Sequence, residues 1–181
     1  MYEDLIEKTL NSKELFKGRI ITVKLDDVKL PDGNEAKREV VEHPGGAGIL
    51  AVDGDDMWVV RQFRYPYKEV IEEIPAGKLE KGEDAIVTAE RELIEEIGYD
   101  CDSIEPFGMI YPTPGYTNEH LYIFLAKGLK KRETHLDDDE FVSAVKRPIK
   151  DVLRDILDGK IKDGKTCYAV LKYCNLNGIK L

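Results

Sequence analysis

The stretch Gly77–Tyr99, GKLEKGEDAIVTAERELIEEIGY, holds seven carboxylates around one predicted helix. At about 100° per residue, Glu92 and Glu96 of that helix share a stripe with Ala89. Small and apolar residues mark this stripe as the inward side of the helix. A carboxylate removed from water is costly unless a cation lies beside it. The helix face is therefore either wet or holds a metal ion.

The residues on either side predict how this helix is held. Ile71–Ala76 reads as a short strand, and Pro75 requires the residue before it to be extended. Gly98, just beyond the last helical turn, predicts that the helix stops there. A strand, a glycine loop and a helix in succession bring the backbone carbonyls near Ala76 close to the helix carboxylates.

The rest of the chain alternates between strand and helix patterns. Apolar alternation from Arg19 around a PDGN turn predicts a hairpin, whereas the first residues stay undecided between a short helix and an extended arm. Glycines after His43 indicate a boundary, with a β-rich arm at residues 1–44 and a main domain at residues 45–181. The other predicted strands are Ala47–Val52, Met57–Gln62, Ile104–Tyr111, His120–Ala126 and Phe141–Lys146, and the other predicted helices are Ile149–Leu157 and Lys165–Leu176. This order indicates α/β or α+β, with a mixed sheet between helical layers.

Composition limits the class of protein. With 181 residues, 42% hydrophobic and 35% charged, the chain fits one globular domain with a small appendage. It has no apolar run of membrane-spanning length, and its acidic N-terminus lacks signal-peptide features, so we expect a cytoplasmic protein without a membrane partner. The net charge of -9 argues against nucleic acid as a partner. Three cysteines without paired spacing predict buried free thiols.

Gly77, Glu83 and the run RELIEEIGY at Arg91–Tyr99 fill every fixed position of a known signature. They resemble the Nudix box, which marks hydrolases that cleave a nucleoside diphosphate linked to another group. Tyr99 stands where that family usually has an aliphatic residue, and an aromatic ring can fill the same apolar role. The resemblance implies an α/β fold, a Nudix-like α/β/α sandwich with a mixed sheet, preceded by a small N-terminal β-hairpin domain. The alternative interpretation is an acidic, solvated helix face.

The resemblance also implies a metal site. Glu92 and Glu96 are carried over as the principal ligands of Mg²⁺, for which Mn²⁺ can substitute, and Glu95 and the Ala76 carbonyl are further candidates. Such ions bridge carboxylates to phosphate oxygens, orient water and lower its pKa. We therefore expect metal-dependent hydrolysis of a diphosphate.

Other residues receive catalytic roles by the same resemblance. Arg91 holds the carboxylates in place by ion pairing, with Glu83 as its partner, and Glu95 joins at the edge of the site. For the general base, Glu140 is the best match to a glutamate that the family places on a late loop, and Asp139 is the alternative. A run of acidic residues of this kind is commonly only a solvated surface.

Features outside the box narrow the substrate. Pro114 lies fifteen residues after Tyr99, as in the ADP-sugar branch of the family. EIPAGKLEKGE and the upstream RQFRY are similar to sequences of the ADP-ribose pyrophosphatase subfamily. In that subfamily an N-terminal β domain is exchanged between subunits, which implies a homodimer. The predicted reaction is hydrolysis of ADP-ribose to AMP and ribose 5-phosphate, with other ADP-sugars as further candidate substrates.

By that analogy Arg64 and Arg38 grip the diphosphate or the ribose, because a planar guanidinium suits such oxygens. Phe16, Tyr65 and Tyr67 are candidates for stacking on adenine, and packing is the alternative role of each ring. Pro114 completes the predicted substrate-binding set.

Two alternatives stay open. The substrate can be another nucleoside diphosphate derivative, such as NADH, a dinucleoside polyphosphate or a nucleoside triphosphate. The chain can also be a module that senses ADP-ribose without cutting it, although a sensor has no need of the intact glutamates.

Overall fold

The structure is a computed structural model that describes residues 2–132 and 141–181. The chain divides into an N-terminal unit, made of the residues up to Gly45 together with Tyr111–His120, and a main unit, made of Gly46–Ile110 and Leu121–Leu181. The loop at Tyr111–His120 groups with the N-terminal residues by its contacts, and the predicted division into residues 1–44 and 45–181 stays a prediction.

The elements follow one another in a strand-rich order. Within the described residues the chain begins with a short 3-10 helix, Glu3–Leu5. The strands are β1 (Lys8–Lys17), β2 (Thr22–Lys29), β3 (Glu35–Glu42), β4 (Gly46–Asp53), β5 (Asp56–Arg64), β6 (Glu69–Glu73), β7 (Ala76–Lys78), β8 (Tyr99–Ile110), β9 (Leu121–Lys131) and β10 (Val142–Pro148). The α-helices are α1 (Ala85–Ile97), α2 (Ile149–Leu157) and α3 (Gly164–Leu176).

The N-terminal unit contains a three-stranded antiparallel sheet in the order β1-β2-β3. The predicted hairpin is present as β2 and β3, and its turn is closed by a hydrogen bond from the Leu30 N–H to the Asn34 carbonyl of 2.8 Å. Gly33 has φ +88°, a left-handed conformation that glycine adopts without strain. The strand β1 was not predicted, because all of its residues are exposed and no apolar alternation marks it.

The main unit is built on a mixed sheet in the order β10-β5-β4-β9-β8, with β6 paired to β5 and β7 paired to β4. The pair β4–β9 is parallel, from Gly46↔Leu121 to Ala51↔Ala126. The pairs β8–β9, β5–β10, β5–β6 and β4–β7 are antiparallel. The mixed sheet expected from the sequence is confirmed.

Helices cover both faces of this sheet. Along β4, Ile49 packs in one apolar cluster with Leu93 of α1. The next residue, Leu50, packs in the opposite cluster with Val152 of α2 and Val170 of α3. Successive strand residues point to opposite faces, so one strand contributes to two cores. The predicted α/β/α sandwich is confirmed.

Two smaller expectations concern membranes and thiols. None of the helices that the structure describes has both the length and the apolar character needed to cross a bilayer. All three cysteines are free, and Cys174 is buried as expected, whereas Cys101 and Cys167 are only half-buried.

Candidate active site

Helix α1 begins after Asp84 and ends at Ile97. Gly98 terminates it with φ +73° and donates its N–H to the Ile94 carbonyl at 2.9 Å. The helix therefore stops where Gly98 predicted, with the glycine in a left-handed conformation. Tyr99 then packs its ring against Trp58, with ring centroids 5.0 Å apart, so the aromatic does fill an apolar position.

The two carboxylates expected on the inward stripe are there. Glu92 and Glu96 are each only 6% exposed, and they share the buried side of α1 with Ala89 and Leu93. Carboxylates removed from water to this degree need compensating charge or hydrogen bonds. The surroundings of these two side chains therefore decide what the helix face can do.

Glu96 has a hydrogen-bond partner in the backbone just before the Nudix box. The Ala76 N–H donates to Glu96 Oε2 at 2.8 Å. The neighbouring Pro75 carbonyl accepts the Ile49 N–H at 2.8 Å, which ties this segment to the central strand. A Cβ placed on Gly77 would lie 1.6 Å from Glu92 Oε1, so only glycine leaves room for that carboxylate.

Arg91 holds several carboxylates at once. Its Nη1 donates to Glu92 Oε1 at 2.7 Å and to Glu95 Oε2 at 2.8 Å, and its Nε lies 3.6 Å from Glu83 Oε1. Burial alone would lower the pKa of Arg91, but the charge of Glu92 and hydrogen bonds to the carboxylates raise it above the ordinary value. Glu83, Arg91, Glu92 and Glu95 are called the Arg91 cluster below.

Glu83 also organises the loop before α1. Its Oε2 accepts the Glu80 N–H at 3.0 Å and the Thr88 hydroxyl at 2.8 Å. The backbone bond from Glu80, the Thr88 bond and the Arg91 charge lower the pKa of Glu83. The carboxylate is therefore ionised and fixed beside Arg91.

The donor chemistry of this face fits a hard divalent cation. Mg²⁺ and Mn²⁺ prefer carboxylate and carbonyl oxygens. An ionised carboxylate has about four acceptor positions, so Glu92 and Glu95 can bind Arg91 and a cation together. Within residues 2–132 and 141–181, no group of three or more His, Cys, Asp or Glu side chains is placed so that it could hold a metal ion without rearrangement.

A second buried charge cluster was not found from the sequence. Arg64, predicted to bind substrate, donates from Nε to Glu73 Oε1 at 2.6 Å and from Nη2 to Glu73 Oε2 at 2.8 Å. Lys165 pairs with the same Glu73 Oε2 and with Asp163 Oδ1, the latter at 3.1 Å. Arg64, Glu73, Asp163 and Lys165 are called the Lys165 cluster below.

The beginning of α3 fixes this cluster. Asp163 Oδ2 accepts the Thr166 N–H at 3.0 Å and the Thr166 hydroxyl at 2.5 Å, as an N-cap. Thr166 Oγ1 in turn accepts the Ile74 N–H at 2.8 Å. The spacing of Asp163 and Thr166, three residues apart, could have predicted a helix N-cap. Nothing in the sequence predicts that Lys165 pairs with Glu73.

The other predicted substrate residues include three that belong to the N-terminal unit. Arg38 belongs to the N-terminal unit and donates to Glu7 at 2.5 Å and 2.9 Å. Phe16 and Pro114 are exposed in the same unit. Glu140 and Asp139, predicted as general base and alternative, lie outside the described residues.

Tyr65 and Tyr67 follow β5 in the main unit, and both are exposed. The Lys68 Nζ lies 2.8 Å from the centroid of the Tyr65 ring. Their predicted stacking on adenine stays a prediction.

Family models match nearly the whole chain. One described as NUDIX domain matches residues 42–166, and one described as nucleoside diphosphate sugar hydrolase N-terminal domain matches residues 7–41.

Several curated proteins are similar over most of their length. The chain is 44% identical over 167 residues to the methanol dehydrogenase activator of Bacillus methanolicus, which covers 91% of this chain and 90% of that protein. It is 42% identical over 173 residues to the ADP-ribose pyrophosphatase of Bacillus subtilis (strain 168), with 93% and 92% covered. It is 31% identical over 191 residues to the GDP-mannose pyrophosphatase of Yersinia pestis (strain Pestoides F), with 95% and 91% covered.

A solved structure described as an ADP compounds hydrolase has a TM-score of 0.84 with this chain and covers 97% of it and 98% of that chain. At 19% identity this likeness is one of fold.

Proposed function

Because this chain belongs to the Nudix family, we propose that it hydrolyses the diphosphate of ADP-ribose to AMP and ribose 5-phosphate with Mg²⁺. The observation that carries the proposal is the buried pair Glu92 and Glu96 on α1, held by Arg91 and by the segment before the box. The substrate follows the relative named ADP-ribose pyrophosphatase.

Hydrolases of this family generally use divalent metal ions. In this proposal Mg²⁺ is held by Glu92 and Glu96, with Glu95 and the Ala76 carbonyl as further ligands. When bound, such an ion shields phosphate charge and activates water. The protein's own contribution is to hold the carboxylates ready, since Arg91 fixes Glu92 and Glu95 and the Ala76 N–H fixes Glu96.

Arg64 is the proposed contact for the diphosphate in the main unit. Glu73 accepts hydrogen bonds from the Nε–H and from one Nη2–H of Arg64. Because a guanidinium has five N–H donors, further N–H groups remain for phosphate oxygens. Burial would lower the pKa of Arg64, but the bonds to Glu73 raise it above the ordinary value, which keeps the guanidinium charged. A charged planar donor of this kind suits a phosphate.

Glu140 is the proposed general base, with Asp139 as the alternative. Either residue must come within about 3 Å of the attacking water, or reach it through one further water. Replacement of each in turn distinguishes them, because only the base should cause a large loss of kcat.

We also propose that the protein is a homodimer. Leu10, Leu15 and Phe16 of β1 are all more than half exposed, which is apolar surface that a second copy can cover. Light scattering that shows a fully active monomer would contradict this.

The central experiment is a substrate panel with the purified chain and Mg²⁺. ADP-ribose, GDP-mannose, NADH and ATP are compared, and AMP from ADP-ribose is followed by chromatography. We expect the highest kcat/KM with ADP-ribose. A nucleoside triphosphate or GDP-mannose that is better by a wide margin would contradict the substrate assignment.

A matched pair of variants tests the site itself. Glu96→Gln should lower kcat by about 10²–10³-fold, because it removes a ligand charge from the reacting centre at similar volume. Glu90→Gln removes the same charge from an exposed position of the same helix and should leave kcat unchanged. Equal activity of the two variants would exclude the metal assignment of Glu96.

A second candidate function is activation of a dehydrogenase, favoured by the 44% identical relative named methanol dehydrogenase activator. The rate of a methanol dehydrogenase with and without the chain tests it. If Glu96→Gln activates as well as the wild type, then activation is independent of hydrolysis.

A further inference from the structure

We propose that Lys165 is a positioning residue of this active site, which fixes Glu73 and, through Glu73, holds the Arg64 guanidinium ready for the substrate's diphosphate. This inference rests on the function proposed above. It extends that function to a residue on α3, far along the chain from the box.

The first step of the argument is the burial of an ammonium group. Lys165 is only 7% exposed and Glu73 only 2%, and lysine is almost never buried to this degree unless it is paired. A buried charge is tolerated where hydrogen-bonding partners compensate it. Removal of such a charge then leaves its partner's opposite charge buried and unpaired. Lys165 meets this condition, since Glu73 and Asp163 both accept from its Nζ.

The second step leads from Lys165 to Arg64. Glu73 Oε2 accepts from both Lys165 Nζ and Arg64 Nη2, while Glu73 Oε1 accepts from Arg64 Nε. The ammonium therefore fixes one oxygen of the carboxylate, and with it the plane in which both oxygens receive the guanidinium. Without Lys165 the carboxylate is free to rotate, and the two-bond geometry with Arg64 is no longer imposed.

The third step concerns charge. The Lys165 cluster contains two cations and two carboxylates and is neutral as a whole. Its most exposed side chain is Arg64, at 39%, whereas those of Glu73, Lys165 and Asp163 are largely covered. The cluster thus presents its positive side outward. Loss of the Lys165 charge would leave Glu73 to neutralise Arg64 and would weaken attraction for an anion.

The fourth step places Arg64 near the box. Burial would lower the pKa of Arg64, but the bonds and charge of Glu73, then the charge of Asp163 and then that of Glu96, raise it, so the charge of Glu96 reaches the guanidinium. Glu73 is also followed directly by the segment that gives the Ala76 N–H to Glu96. Lys165 therefore acts on the substrate side of the same site, whereas Arg91 acts on its carboxylates.

The test is the kinetics of Lys165→Met. KM for ADP-ribose should rise about tenfold, the loss expected for one charge-assisted hydrogen bond, with kcat changed less than threefold. Lys162→Met is the matched control, because it removes the same charge from an exposed lysine three residues away and should leave both constants unchanged. A KM within twofold of wild type, or a loss confined to kcat, would overturn the proposal.

A double-mutant cycle shows whether Lys165 acts through Glu73. In the Glu73→Gln background, addition of Lys165→Met should not raise KM further. The double variant removes Glu73 together with Lys165 and leaves Asp163 with its bonds from the Thr166 N–H and hydroxyl, so it also serves if Lys165→Met alone does not fold. A further rise of KM in the double variant would mean direct contact with substrate and would overturn the positioning role.

A readout without turnover separates this inference from the proposed function. If the wild type does not cleave ADP-ribose, the proposed function fails, and the NMR signal of the Arg64 Nε–H still tests Lys165. Its exchange with water should be at least tenfold faster in Lys165→Met and unchanged in Lys162→Met. An unchanged exchange rate in Lys165→Met would overturn the inference.

Discussion

The Arg91 cluster and the Lys165 cluster lie in the same unit and are built from the same kinds of groups, yet they differ in balance. In the first, three carboxylates meet one guanidinium, which leaves two negative charges. In the second, two carboxylates meet two cations. An excess of negative charge favours the arrival of a cation, whereas a balanced set favours a fixed geometry.

The two clusters should also respond differently in stability when one charge is removed. Removal of one negative charge relieves repulsion in the Arg91 cluster, so the fold should tolerate it. Removal of one charge from the Lys165 cluster takes a partner from a buried ion, so the folded state should lose stability. Four experiments challenge this contrast, from the largest expected effect to the smallest.

The largest effect is expected from Glu73→Gln. It leaves the buried Lys165 ammonium with Asp163 as its carboxylate partner in the cluster, and loss of one member of a buried pair costs about 3–5 kcal/mol. Urea denaturation at pH 7 measures the loss. Glu69→Gln, an exposed position of the same strand, should change stability by less than about 1 kcal/mol. Equal losses would remove the distinction between the clusters.

Gly77→Ala should reduce activity while the fold is retained. The new Cβ would meet Glu92 Oε1 at 1.6 Å, and the end of that side chain can move where backbone could not. A displacement of about 1 Å at a reacting centre costs about 10²-fold in kcat. Gly164→Ala is the control, because a Cβ there meets nothing within 4 Å. Wild-type kcat in Gly77→Ala would show that the position of Glu92 is not critical.

The two clusters differ in how many of their contacts could be predicted from the sequence. Glu92 and Glu96 were placed on the buried side of α1 because helical periodicity relates residues four apart, and the Nudix box has a fixed spacing. Glu73 and Lys165 are separated by 92 residues and meet only because the end of β6 and the start of α3 are neighbours in the fold. Periodicity carries no information on such a contact.

The fold shows the same division. Helices α2 and α3 and the mixed sheet were predicted, because their apolar residues recur at regular intervals. Strand β1 was missed, since exposed residues on both of its faces leave no alternation to read. What holds β1 is backbone pairing with β2, from Lys8↔Lys29 to Lys17↔Thr22, which any side chain permits.

Addition of Mg²⁺ should stabilise the protein through Glu96 and the neighbouring carboxylates of the Arg91 cluster, and not through the Lys165 cluster. An ion that binds only the folded state at ten times its Kd adds about 1.4 kcal/mol, seen as a rise in Tm. The rise should disappear in Glu96→Gln and persist in Glu73→Gln. Chelation with EDTA should return the wild-type Tm to its metal-free value. A rise that survives in Glu96→Gln would place the cation elsewhere.

The smallest effect concerns a third set of ion pairs, around Asp155, which is more open to solvent than either cluster. Bonds from Lys160 at 2.9 Å and from Arg147 at 2.7 Å lower the pKa of Asp155 to about 2, from an ordinary value of 3.8. A carboxyl with a depressed pKa in the folded state contributes stability that is complete above its unfolded pKa and is lost as the pH falls through the folded value. This contribution should therefore disappear between about pH 5 and pH 2.

Urea denaturation at pH 7, 5 and 3 measures this slope in the wild type and in Asp155→Asn. The variant should lose stability less steeply on acidification, because its amide does not titrate. The same steepness in both proteins would show that the pKa of Asp155 is the same in the folded and the unfolded chain. It would also mean that balanced charges contribute to this fold only where they are buried, as Glu73 and Lys165 are.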